Sequence, residues 1–311
     1  MRGGAGRGRA GIQRFAGAGL LLWMTTLAAA PDDQLRRGEY VLHAAGCISC
    51  HTDHDNNGPL LAGGRALETT FGTFYTPNIT PDPQFGIGRW NDADFMRALT
   101  EGVGPHGENF YPVFPYTSYT RMKRADLLAL KAYLFSVKPV ARENKPHELV
   151  WYVRSRTLLW FWKVLYFDAG EYRADPNKPE AWNRGAYLVT AMAHCGECHT
   201  PRNFFGAPIP DLRYAGTTDG ADGGLVPNIT PDPKTGIGRW RPSEIAEYLH
   251  SGATPDGDFA GGLMAEVIDD GLRYLDDNDI QAIVTYIRSL TPIEHQLERR
   301  KKKGKKRDSF E

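Results

Sequence analysis

Cys47-Ile48-Ser49-Cys50-His51-Thr52 returns 148 residues later as Cys195-Gly196-Glu197-Cys198-His199-Thr200, and these hold all 4 cysteines of a 311-residue chain. Two cysteines three apart at the end of a helix point to one side. There they can add to the two vinyl groups of one haem, with the adjacent histidine placed to ligate the iron. C-x-x-C-H reads as c-type haem attachment. A thioredoxin-like Cys-x-x-Cys needs a βαβ context, and none is visible. A zinc site would use Cys47, Cys50, His51 and one further ligand, which leaves the long loops downstream without a purpose. Cys47, Cys50, Cys195 and Cys198 are therefore the expected haem attachments, and His51 and His199 the proximal iron ligands.

Working outward, the two motifs sit inside a long internal repeat. Arg37-Gly38-Glu39-Tyr40 returns as Arg184-Gly185-Ala186-Tyr187, and Pro77-Asn78-Ile79-Thr80-Pro81-Asp82-Pro83 returns unchanged from Pro227 to Pro233. Gly86 to Trp90 returns unchanged from Gly236 to Trp240, and Asp126 to Leu134 matches Asp279 to Ile287. Two copies of this length predict two domains. In each, a helix beginning near the Arg-Gly pair runs into Cys-x-x-Cys-His. A loop rich in Pro, Gly, Asn and Thr follows, then a short helix after Trp90 or Trp240 with Asp92 or Ser243 as its cap. A final helix closes the copy. Ile280, Ile283, Val284 and Ile287 carry its 3.6-residue period, and Leu127, Leu130 and Leu134 a looser version. No strand alternation is evident. Each unit has few apolar residues for its loop length, so a haem is expected to fill its centre.

The sixth iron ligand sets the chemistry, since His/Met ligation raises the potential and suits electron transfer. Met264 is the only methionine after His199 and is the expected distal ligand of the second copy. Trp90 and Trp240 are 150 apart, which sets Phe114 opposite Met264, and phenylalanine cannot ligate iron. Met122, eight residues on, is the nearest substitute, although it aligns with the packing position of Leu275. His106 or an open site are the alternatives, and Met96 reads as core. The Pro-Asn-Ile-Thr loops are expected to wrap the haem edge, with Arg89 and Arg239 pairing with propionates. The competing reading is an ordinary surface loop with a structural arginine.

Both ends of the chain are basic. Arg2, Arg7, Arg9 and Arg14 precede an apolar run from Phe15 to Ala30, the pattern of a secretory signal. Its ~16 residues are short for a membrane span, although Pro31 leaves an uncleaved anchor open. Residues 299–307 carry eight lysines and arginines, read as a solvated tail. The 37 bases and 37 acids of the chain thus hide a body, residues 31–298, with 25 bases against 35 acids, about −10. No basic field argues for nucleic acid. Residues 139–183 have no counterpart in the repeat and hold an aromatic run including Trp151, Trp160 and Trp162. This run is expected to pack between the domains; a docking face and an interfacial membrane helix are the other readings. No phosphate loop, nucleophile triad or flavin fingerprint is present, and the glycines from Gly220 to Gly224 lack the context for dinucleotide binding.

From about Arg36 to Leu290 the chain resembles the cytochrome c subunits of bacterial membrane-bound dehydrogenases that oxidise alcohols, gluconate, sugars or aldehydes. The resemblance rests on the two Cys-x-x-Cys-His motifs, both Pro-Asn-Ile-Thr-Pro-Asp-Pro loops, Tyr111-Pro112-Val113-Phe114-Pro115-Tyr116, Trp182 to Leu188, and His199 to Asn203. It implies an electron acceptor for a flavin, pyrroloquinoline quinone or molybdenum subunit, passing electrons on to an oxidase, a cytochrome or ubiquinone. Many members carry three haems, a C-terminal anchor, and methionine where this chain has Phe114.

The resulting expectation is an all-α protein, two tandem cytochrome c-type helical domains with long loops around two covalent haem c groups. The expected divisions are residues 1–30 (signal peptide or anchor), 31–138 (first domain), 139–178 (connecting segment), 179–293 (second domain) and 294–311 (basic tail). The expected function is electron relay in the periplasm, in contact with a catalytic dehydrogenase subunit and at most the surface of the cytoplasmic membrane, with no catalytic residue of its own. The rival is a di-haem enzyme, peroxidase-like or a sulfur-compound oxidase, with an open sixth position on the first haem.

Overall fold

The computed structural model describes residues 31–220 and 224–298, with Met1, Gly3 and Gly4. The apolar leader and the tail from Arg299 lie outside the described residues. The helices follow the repeat. The first copy supplies α1 (Pro31–Ala44), α2 (Cys47–His51), α3 (Asp92–Glu101), α4 (Tyr116–Tyr119) and α5 (Arg124–Ser136). Next comes α6 (Leu158–Tyr166). The second copy supplies α7 (Glu180–Tyr187), α8 (Cys195–His199), α9 (Pro242–Ser251), α10 (Gly262–Asp270) and α11 (Asp277–Arg288). From α7 the chain continues into one π-helical segment, Leu188–Met192. Among the described residues no helix is long and apolar enough to cross a membrane.

The Arg-Gly pair lies inside the first helix of each copy, not at its start. The glycine is there because the first and last helices cross at it. A Cβ on Gly38 would lie 2.1 Å from the Ala129 carbonyl oxygen of α5, and one on Gly185 1.9 Å from that of Ala282 in α11. Only hydrogen fits this backbone-to-backbone approach. The predicted apolar faces are buried: Leu127, Leu130 and Leu134 in α5, and Ile280, Ile283, Val284 and Ile287 in α11. They join one continuous core drawn from both copies.

Three details differ from expectation. Asn91 caps α3, accepting from Asp94 N at 2.9 Å, so Asp92 is already helical. Ser243 likewise lies within α9, whose first turn is closed by Glu244 accepting from Arg241 N at 2.6 Å. There are also strands. β1 (Ala66–Thr69), β2 (Gly72–Tyr75) and β3 (Glu148–Leu149) form a small antiparallel sheet in that order, Leu67 opposite Phe74 and Gly72 opposite Leu149. At two to four residues each, they are too short for alternation to show. Finally, α6 reaches both copies, through Lys163 to Glu101 O and Gly102 O and through Trp162 to Phe205 O, but it does so from outside the core. None of its residues is buried, and it lies across the surface.

Candidate haem-attachment sites

Each Cys-x-x-Cys-His forms a single helical turn entered through a left-handed residue. Gly46 takes this role before α2 at φ 63°, and His194 takes it before α8 at φ 38°. The left-handed turn breaks the chain direction, so that α1 and the π segment end where the cysteines begin. Burial pushes the thiols of Cys47 and Cys195 up to about 12, with the second cysteine of each motif adding to the effect. Among the described residues no disulfide joins the four cysteines. Among the described residues no group of three His, Cys, Asp or Glu side chains converges to hold a metal ion. Two cysteines beside a lone histidine, with no fourth ligand converging on them, suit thioether attachment and are a poor zinc site.

The histidines of the two motifs are held alike. His51 Nδ1–H donates to the Pro77 carbonyl at 2.7 Å, and His199 Nδ1–H to the Pro227 carbonyl at 2.8 Å. A carbonyl can only accept, so the proton sits on Nδ1 and Nε2 keeps its lone pair for iron. Burial lowers both imidazole pKa values, which favours the unprotonated ligand form. The residues present therefore fit a covalently attached haem at each site.

This gives the Pro-Asn-Ile-Thr loops a definite task. Their first prolines orient the ligands, and their polar side chains are used internally. Asn78 accepts from Thr80 N and Oγ1 at 2.9 and 2.7 Å and donates to Val140 O at 2.8 Å. Asn228 accepts from Thr230 N and Oγ1 at 2.8 Å each and donates to Ile293 O at 2.8 Å. Each loop thus ties the attachment site to the chain leaving the last helix. Arg89 and Arg239 are both exposed, and among the described residues neither forms an ion pair. Arg97 Nε and Arg142 Nη1, which the sequence did not single out, are buried donors without a protein partner. Nothing in their spacing marks them.

The distal candidates occupy unlike positions. Met264 lies half-buried in the third position of α10 and packs against the core. The hairpins leading to Phe114 and Met264 match at an offset of 150. Val103 bridges Asn109 as Ala253 bridges Phe259, and Phe110 N–H reaches Gly102 O as Ala260 N–H reaches Gly252 O, both at 2.8 Å. Phe114 lies edge-on to Tyr119 at 5.7 Å, and the Tyr119 hydroxyl donates to Ala45 O at 2.7 Å, two residues before Cys47. Met122 is fully buried, and its N–H bonds Tyr119 O as Leu275 N–H bonds Leu272 O. It is thus the structural counterpart of Leu275. His106 sits on an exposed turn.

The copies brace each other's sites, which the sequence did not reveal. Helix α10, which carries Met264, packs on α2 of the other copy. Arg65 bonds Ser49 O in α2 and forms an ion pair with Glu266 of α10. From the other side, Thr117 and Ser118 of α4 both donate to Glu197 Oε1 at 2.7 Å, between the cysteines of α8. Burial alone would raise the Glu197 pKa; the Arg202 charge and the two hydroxyls outweigh it and hold it low. The two attachment turns meet at His194. Its ring lies edge-on to Tyr119 at 5.4 Å, with Nε2 3.3 Å from Ala45 O.

The family model for cytochrome c matches residues 35–138 and 183–291. The chain is 41% identical over 283 residues to a diheme cytochrome c-type protein of Cereibacter sphaeroides, covering 88% of this chain and 94% of that one. It is 41% identical over 267 residues to the fructose dehydrogenase cytochrome subunit of Gluconobacter japonicus, covering 85% of this chain and 54% of that one. It is 35% identical over 289 residues to the gluconate 2-dehydrogenase cytochrome c subunit of Pantoea cypripedii, covering 87% and 64%. The chain therefore spans nearly all of the diheme relative but well under two thirds of the Gluconobacter subunit. With two family matches, each containing one attachment motif, the chain belongs to the cytochrome c family and carries covalently bound haem c.

Proposed function

We propose that this protein is a periplasmic di-haem electron relay, taking electrons from a catalytic dehydrogenase subunit and passing them to an oxidase, a cytochrome or a quinone. The observation that carries this reading is the matched proximal geometry at His51 and His199, each oriented by a proline carbonyl. Relatives named as cytochrome subunits of fructose and gluconate dehydrogenases support the dehydrogenase partner. The basic, then apolar leader supports the location. Haem iron, when bound, cycles between ferric and ferrous and carries one electron at a time. The chain's own part is to attach through Cys47, Cys50, Cys195 and Cys198, to ligate through His51 and His199, and to keep the sites rigid through the interlocked copies. Arg89, Arg239, Arg97 and Arg142 are the guanidinium groups offered to propionates.

Met264 completes the second iron's ligands. For the first we assign Met122. Its copy has Phe114 and Met122 where the other has Met264 and Leu275, so the thioether changes place with an apolar residue and each copy keeps one. Met122 follows Tyr119, which itself contacts the attachment turn, by one turn of chain.

Phe114 is also the observation behind a second reading, an enzyme with an open first iron. Peroxidase turnover separates the two. A relay shows no rate above that of a free haem peptide. A clear rate that disappears in His106→Ala would overturn the relay.

A further inference from the structure

Helix α10 carries Met264, yet its polar anchors come mostly from the first copy. No side chain caps its start at Gly261. Of its three carboxylates, Asp269 takes Arg273 nearby, while Glu266 and Asp270 both reach across to the other copy. Arg65 grips Glu266 with both arms of its fork, Nη2 donating to Oε1 at 2.9 Å and Nη1 to Oε2. The same Nη1 donates to Ser49 O at 2.5 Å, inside the first Cys-x-x-Cys-His turn. His54, three residues after His51, bonds Asp270 Oδ2 through Nε2 at 2.9 Å. His43, four residues before Cys47, donates from Nδ1 to Asp270 O at 2.6 Å, and its ring stacks on Tyr274 at 4.0 Å. These anchors flank the first attachment motif on both sides.

Glu266 and Asp270 are one turn apart and share a face of α10. Met264 precedes Glu266 by two residues, about 200° around the helix, so it stands on the opposite face. One face is clamped to the first copy, and the other presents the thioether. Arg65 is only 8% exposed, so its ion pair escapes the screening that weakens surface pairs. The fork fixes direction as well as distance, and removing either partner leaves a charge uncompensated.

We propose that Arg65, assisted by His54, is a positioning residue for Met264, so that the first copy's attachment turn sets how firmly the second copy's thioether is held at its iron. The proposal rests on the ligand assignment made above for Met264. The distal bond of the second haem, with the raised potential that His/Met ligation brings, is thereby controlled from the domain that holds the other haem.

The test uses the full haem-loaded chain in a Met122→Leu background. There Met264 is the one expected source of the near-infrared charge-transfer band of methionine-ligated ferric haem. Imidazole is titrated in, and loss of the band reports displacement of Met264. We expect imidazole to bind the second iron about tenfold more tightly in Arg65→Gln, the scale on which an outer partner tunes a metal ligand, and the potential of that haem to fall. Arg65→Lys keeps the charge without the fork and should recover part of the difference. His54→Ala should tighten imidazole about threefold, the net effect of one hydrogen bond. It serves with Arg65→Lys as the comparison if Arg65→Gln does not take up haem. Arg273→Gln breaks the ion pair that α10 makes within its own copy and should leave affinity and potential unchanged. Unchanged values in the Arg65 and His54 variants would overturn the proposal, as would an equal change in Arg273→Gln. A band absent from the starting protein, or one that survives Met264→Leu, would overturn the ligand assignment and the proposal with it.

Discussion

The Tyr187 hydroxyl of α7 donates to Asp126 Oδ2 at 2.5 Å, and Asp126 belongs to the other copy, on α5. The bond has a mirror image, for the Tyr40 hydroxyl of α1 donates to Asp279 of α11. Each aspartate also takes an arginine of its own copy, Arg37 Nε to Asp126 at 2.8 Å and Arg184 Nε to Asp279 at 2.7 Å. The copies are therefore joined by two equivalent crossed bonds between buried carboxylates and tyrosines. Tyr187→Phe should lower stability by about 2 kcal/mol, the range for a hydrogen bond to a charged group. Tyr40→Phe should cost a similar amount. Thermal unfolding of the haem-loaded protein measures both, and a loss within error would show that the crossed bonds do not hold the copies together.

The same joint responds to acid. Burial alone would raise the Asp279 pKa above its ordinary 3.8, but hydrogen bonds from Arg184 and Tyr40 and the charges of Arg184 and Arg37 leave it lowered. Between the folded and unfolded pKa values the unfolded chain binds more protons, so stability rises with pH there. The contribution is complete above 3.8 and is lost as pH falls through the folded value. Acid unfolding of Asp279→Asn should accordingly depend less on pH in that window. A slope equal to that of the unaltered protein would refute the coupling.

Helix crossing at glycine is testable in either copy. With a Cβ position only 2.1 Å from the Ala129 carbonyl oxygen, Gly38→Ala must push α1 off α5. The expected cost is roughly 3 kcal/mol, the upper end for overpacking. Gly185→Ala should behave alike at α7 and α11. Denaturant midpoints of the two variants check this, and near-wild-type values would mean that the crossing yields easily.

His194 holds a left-handed conformation where the first copy has glycine. For an L-residue that backbone costs about 1–2 kcal/mol. His194→Gly and His194→Ala lose the same ring contact with Tyr119, but only glycine releases the strain. His194→Gly should therefore be the more stable by about 1 kcal/mol. Equal stabilities in a chemical melt would remove strain from the account.

What could be read in the sequence was what neighbouring residues encode. Cys-x-x-Cys-His declares its chemistry within five residues, and the period of Ile280 to Ile287 declares its buried face. Asp126 and Asp279 stood aligned in the repeat, yet their tyrosine partners are 61 and 239 residues away, and no local pattern reports such a pairing. The Pro77 and Pro227 carbonyls act through the backbone, which residue type does not record. The aromatic run at α6 was expected to pack between the domains, with a docking face or an interfacial helix as alternatives, because sequence shows hydrophobicity and not which side of a helix meets water; in the structure none of its residues is buried. The strands at Ala66–Thr69 and Gly72–Tyr75 were too short to leave a period.

Electron paramagnetic resonance of the purified ferric protein, with haem counted per chain, tests the central claim most directly. The relay predicts two haems and two low-spin signals, one turning high-spin in Met264→Leu and the other in Met122→Leu. A high-spin signal in the unaltered protein would contradict it, leaving the iron opposite Phe114 open to ligands from outside.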